Sequence, residues 1–132
     1  MIDALKSPAL VGALGLASVG LLRVRDPHTH GAYGLCPSKY LLGFDCPGCG
    51  GLRAVNDLGN FDLGAALSSN ILVVLLVAVL PVFYVVWVVR RARGDADARM
   101  IVLSPRIGVV LMIVLAVFTV IRNTPWGSWL AP

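Results

Sequence analysis

The chain has 132 residues, 58% of them hydrophobic and only 14% charged, with a formal net charge of +4. A soluble domain carries about 25% charged residues, so the composition excludes an ordinary soluble domain and points to a membrane. The basic residues stand at the ends of apolar runs and form no basic stripe, which argues against nucleic acid and makes the lipid bilayer the expected partner.

Taken in chain order, the first apolar run is Pro8–Leu22, rich in small residues. Ala9, Ala13 and Ala17 fall on one helical face and Gly12 with Gly20 on another, a pattern that lets helices approach closely in lipid. A secretory signal would need a small-residue cleavage site after this run. "RVRDPHTH" follows instead, so the run is read as an uncleaved span.

The segment 26–70 then carries all three cysteines, as C-x9-C-x2-C. Two thiolates two residues apart, as in Cys46 and Cys49, can grip one tetrahedral ion, and Cys36 would be a third ligand. Structural zinc takes four ligands, and the nearby candidates for the fourth are His28 and His30. Gly48 and Gly50 give the turn its backbone freedom. "LRAVNDL" reads as a short helix starting near Cys49, whose dipole would lower a thiol pKa there. Arg53 and Asp57 stand four apart and would pair on that helix. Asp62 reads as the N-cap of a further helix, which would run through Asn70 into the second span.

That second span is Ile71–Val89, with no charged residue and about 1.5 Å of rise per residue, enough to cross a hydrocarbon core. Pro81 inside it would kink the helix. The loop that follows holds Arg90, Arg91, Arg93, Arg99 and Arg106, a density expected on the cytoplasmic side. The N-terminus then lies inside and the cysteine segment outside. The third span covers 105–121, with Pro105 in its first turn and Arg106 and Arg122 at its ends. Tyr84 and Trp87, with Trp126 and Trp129, fit either interfacial belts or ordinary packing. The expected fold is an all-α membrane protein: three transmembrane helices, with a Cys-rich turn and short amphipathic helices between the first and second, in one unit over 1–132.

Beyond these physical signals the segment resembles the bacterial membrane-protein family called domain of unknown function 2752. Asp26-Pro27, Gly31 and Tyr33, and Cys36-Pro37 match its leading elements. Gly43, Cys46, Pro47, Gly48, Cys49, Gly50, Arg53 and Ala54 match its C-P-G-C-G-x-x-R-A core. Leu58, Asp62, Ala66 and Asn70 match its tail, and Arg122-Asn123 resembles a pair that ends the last span. Leu42, Leu52 and Ile71 depart from the pattern. So do Ala32 and Asn56, at places where many relatives carry His, which removes two candidate ligands. The resemblance implies a small multi-pass protein of a bacterial cytoplasmic membrane and no particular activity.

Three functions follow as expectations. One is a non-enzymatic protein with an extracytoplasmic three-cysteine knuckle holding zinc. The second is a thiol–disulfide redox protein or sensor using Cys46 and Cys49, against which the odd cysteine count weighs. The third is an accessory or assembly subunit that binds another membrane protein or its own copies through small-residue faces. Arg53, the helix N-terminus and Arg122 could also receive an anionic lipid headgroup or ligand. The sequence shows no Ser–His–Asp set and no phosphate loop, so the non-enzymatic readings come first.

Overall fold

A computed structural model describes residues 2–29, 33 and 36–130 of the chain. Among these residues the secondary structure is all helical. In order come α1 (Ile2–Val24), α2 (Pro37–Leu42), α3 (Gly51–Gly59), α4 (Leu63–Ala92), α5 (Pro105–Arg122) and a closing 3-10 helix (Pro125–Leu130). Three of these, Lys6–Val24 in α1, α4 and α5, are long and apolar enough to cross a membrane. The expected spans all lie inside them, and α1 extends further at both ends than 8–22.

Local chemistry sets the boundaries. Asp62 caps α4 as expected, its carboxylate accepting from the Ala65 N–H at 2.9 Å. Ser104 caps α5 by accepting from Ile107 N at 3.4 Å, with Pro105 in the first turn. Helix α4 does run from Asp62 into the second span, but not as one rod. Asn70 leaves helical dihedrals, at φ −167° and ψ 100°, and is the one residue inside α4 to do so. The backbone dihedrals stay helical at Pro81. The break divides α4 into a short arm, 63–69, and a long apolar rod from 71 to 92.

The short arm and the start of the rod pack against α3. Ala54, Ala66 and Val74 are the buried centre of that contact, with Leu58, Leu67 and Val73 around them. Helix α1 packs against both α3 and α4. Tyr84 of α4 donates to the Pro8 carbonyl of α1 at 2.8 Å. Gly12 makes room for it, since a Cβ there would lie 2.5 Å from the Tyr84 hydroxyl. Gly20, expected on the same close-packing face, meets nothing. At the α1–α3 junction Arg23 donates to the Gly59 carbonyl, and Asn56 Nδ2 donates to the Leu22 carbonyl at 2.7 Å. Trp87 is a packing residue: it is buried, and its indole N–H donates to the Ala98 carbonyl at 2.8 Å, tying the arginine-rich loop back to α4.

Helix α5 packs along neither α1 nor α4. It reaches the rest of the chain at its C-terminal end, through Arg122, Asn123 and the 3-10 helix, which packs against α4. Of its side chains only Phe118 and Arg122 are buried.

Candidate metal centre

The cysteine segment folds as two turns facing each other. Cys36 stands at the N-cap of α2, where Pro37 opens the helix. Cys46 to Gly51 form a tight turn in which Cys49 N donates to Cys46 O and Gly51 N to Gly48 O, both at 3.0 Å. Gly50 takes a left-handed conformation, φ +75°, as the N-cap of α3. That conformation costs a residue with a Cβ about 1 kcal/mol or more, so glycine here lets the turn enter the helix directly.

The two turns bring the three sulfurs into a triangle. Sγ–Sγ distances are 3.6 Å for Cys36–Cys46, 3.2 Å for Cys46–Cys49 and 3.2 Å for Cys36–Cys49. All three cysteines are free thiols and half-buried, and together they form a group able to hold a metal ion. The sulfurs of a tetrahedral zinc site lie about 3.8 Å apart, given Zn–S of about 2.3 Å. A shift of a few tenths of an ångström therefore converts this triangle into three corners of such a site.

The thiols are electrostatically unequal. Backbone N–H groups at the start of α2, Lys39 first, and the Cys49 thiol pull Cys36 down from an ordinary value near 9.0 to about 6. Burial and the two neighbouring thiols push Cys49 up to about 12. This reverses the expectation that the dipole of α3 would acidify Cys49. One thiol is set to ionise first, and it is the one distant in sequence from the C-x-x-C pair.

Behind the triangle two buried side chains hold the 46–49 turn in place. Asn70 is 0% exposed. Its Nδ2 donates to Pro47 O at 2.9 Å and to Cys49 O at 3.0 Å, while its Oδ1 accepts from Val73 N at 3.2 Å and so caps the long rod of α4. Arg122 is 2% exposed. Its Nη1 donates to Cys46 O at 3.0 Å and Cys49 O at 3.1 Å, and its guanidinium lies 5.1 Å over the Phe118 ring. Asn123 completes the clamp with a reciprocal pair to Asp45. Asp45 N donates to Asn123 Oδ1, and Asn123 Nδ2 donates to Asp45 O, each at 2.8 Å. Lys39 and Asp45 form an ion pair at 3.0 Å across the two turns.

His28 does not join the triangle. His28 faces two carboxylates, Nδ1 2.9 Å from Asp26 Oδ1 and Nε2 3.2 Å from Asp57 Oδ1. His30 lies outside the described residues. Asp57 is buried and also accepts from Ser69 Oγ at 3.0 Å. It is therefore not paired with Arg53, whose Nε donates to the Pro27 carbonyl at 3.3 Å. The expected i, i+4 pair gives way because Asp57 points into the α1–α3–α4 junction and Arg53 toward the segment after α1. Arg122 also departs from expectation: buried under the turn, it presents no face to a lipid headgroup. Ser69 and Lys39 escaped the sequence reading, and Asn123 entered it only as part of the Arg122-Asn123 pair.

The fold and the site define a class: a chain that is all helical among the described residues, with three helices able to cross a membrane and a three-thiol cluster. The cluster sits where α1 and α5 end and the long rod of α4 begins. Residues 36–84 match the model of the family described as Protein of unknown function (DUF2752), and the resemblance read from the cysteine motif holds over this segment. The matched segment contains the three cysteines, Arg53, Asp62 and Asn70, and stops short of Arg122. No curated protein and no solved structure matches the chain.

Proposed function

We propose that this is a non-enzymatic multi-pass membrane protein whose knuckle holds a zinc ion through Cys36, Cys46 and Cys49 on the extracytoplasmic face. The observation that carries the reading is the sulfur triangle, with every edge between 3.2 and 3.6 Å. Three thiols brought this close from two turns repel once ionised, and a bound cation is what makes such an arrangement favourable. The clamp of Asn70, Arg122 and Asn123 acts on backbone carbonyls and leaves the sulfurs free for an ion. The role is then structural: the ion ties the start of α2 to the turn before α3, and so ties the ends of α1 and α5 to the start of the long rod. The arginine-rich loop after α4 supports an inward N-terminus, and the resemblance to a bacterial family supports a bacterial cytoplasmic membrane.

Metal analysis of protein purified without oxygen tests this. About one zinc per chain is expected, lost in Cys46→Ser. Substoichiometric metal that Cys46→Ser leaves unchanged would overturn the reading.

A thiol redox role is the second reading, favoured by the Cys36 thiol lying near 6. Its nucleophile would be Cys36, with Cys46 or Cys49 as the partner sulfur, in place of the Cys46–Cys49 pair expected from the spacing. Differential alkylation in intact cells separates the two. Reversible oxidation of Cys36 in a metal-free population supports redox chemistry, and uniform metal-protected thiols support the knuckle.

A further inference from the structure

Arg122 has an anomaly that its structural role leaves unexplained. Its Nη1 serves two carbonyls, but Nε and Nη2 are buried with no hydrogen-bond acceptor among the described residues. No described carboxylate pairs with it either, since the ion pairs there involve Asp26, Asp45, Asp57 and Asp95 with other partners. A cation withdrawn from water without an anion is strongly unfavourable. The three thiols are at hand to supply negative charge, because Arg122 is bonded to the backbone of Cys46 and Cys49 themselves, while the neighbouring Asp45 carboxylate is paired with Lys39.

Resting on the metal reading above, we infer that Arg122 is the counter-charge of the thiol cluster and tunes it to a divalent ion held on three thiolates. The charge count is the reason. Three thiolates around a divalent ion carry one net negative charge, which one guanidinium cancels. Three thiolates around a monovalent ion would leave one negative charge over, and a trivalent ion would leave Arg122 uncompensated. Inside a site of low dielectric the neutral combination is the stable one. The guanidinium lies 5.1 Å over the Phe118 ring, and Arg122 is 2% exposed, so water screens its charge little. Arg122 is thus a specificity-determining residue supplied by the end of α5, 73 residues from Cys49.

The experiment uses the full chain in detergent, freed of metal and reduced. Cd2+ is titrated by its thiolate charge-transfer absorption. Arsenite is the comparison probe: As(OH)3 condenses with three thiols to As(SR)3 and three waters, an uncharged product that needs the same triangle and no counter-ion. Arg122→Gln should weaken Cd2+ about tenfold or more and change arsenite by no more than about twofold. Arg122→Lys, which keeps the charge and gives up the fork, should recover Cd2+ affinity to within about threefold of the native chain. An unchanged Cd2+ affinity in Arg122→Gln would overturn the inference. So would equal losses of Cd2+ and arsenite, or a Lys variant as weak as the Gln variant, because each assigns Arg122 to shape and not to charge. A native chain that binds no Cd2+ would remove the metal reading itself. Native Cd2+ binding that is indifferent to Arg122 would remove only this inference.

Discussion

Cys36 shows how far one side chain's behaviour depends on its neighbours. In sequence it is the outlying cysteine, yet it is the acidified one, because the N–H groups that open α2 converge on its sulfur and the Cys49 thiol donates to it. A thiol whose folded pKa is lowered adds stability that is fully present above the unfolded value and is lost as pH falls through the folded one. For metal-free protein the Cys36 contribution should therefore fade as pH drops from about 9.0 through about 6. Iodoacetamide alkylation, read residue by residue by mass spectrometry, should follow a curve with its midpoint near 6 for Cys36. Cys49, pushed up to about 12, should stay unreactive across that range. A Cys36 midpoint at the free-thiol value of about 8.5 would refute the assignment. Asn70 makes the same point with geometry. One amide supplies a helix cap and two donors to the cysteine turn, so leaving the helix at this position is what places its side chain under the turn.

Among the elements, α1 and α4 meet where a glycine admits a tyrosine. The Tyr84 hydroxyl donates to Pro8 O above Gly12, in a contact that leaves no room for a methyl group. Gly12→Ala should displace that hydroxyl and cost about 1 kcal/mol, the worth of one such hydrogen bond. In a Tyr84→Phe background the same change should cost much less, so the two substitutions should be non-additive. Thermal unfolding of the four variants in one detergent measures this. Strict additivity would show that α1 and α4 are not coupled there. The backbone leaves helical dihedrals at Asn70 and keeps them at Pro81, and the reason lies at this scale as well. A proline removes one backbone N–H but need not move dihedrals out of the helical basin. The Asn70 side chain instead offers the backbone alternative bonds strong enough to interrupt the helix.

For the whole molecule, connectivity and contacts agree. If α1, α4 and α5 each cross once, the end of α1, the start of the long rod of α4 and the end of α5 share one side. The clamp from Arg122 and Asn123 to residues 45–49 unites those places. The arginine-rich loop belongs on the opposite side, folded against α4 by Trp87 and Arg91, which both donate to Ala98 O. An impermeant maleimide applied to intact cells should label Tyr40→Cys, exposed on α2 and apart from the three clustered thiols. It should label Asp97→Cys, in the exposed loop, only after permeabilisation. Labelling in the reverse order would invert the orientation, and labelling of both from outside would remove α4 as a crossing.

The sequence by itself determined the three apolar helices, the cap at Asp62, the helix start at Pro105 and the cysteine turn. These depend on local hydropathy, backbone preference and spacing, which are written in neighbouring residues. It also marked Arg122 and Asn70 as motif positions, without what they do. The tertiary structure alone decided that Cys36 closes on the C-x-x-C turn and that His28 sits between Asp26 and Asp57. It also decided that Arg53 and Asp57 part company and that Arg122 lies buried beneath the thiols. Each of those outcomes pairs groups that are distant in the chain or pits a near partner against a far one. Burial and geometry settle that competition, and neither is legible until the helices have packed.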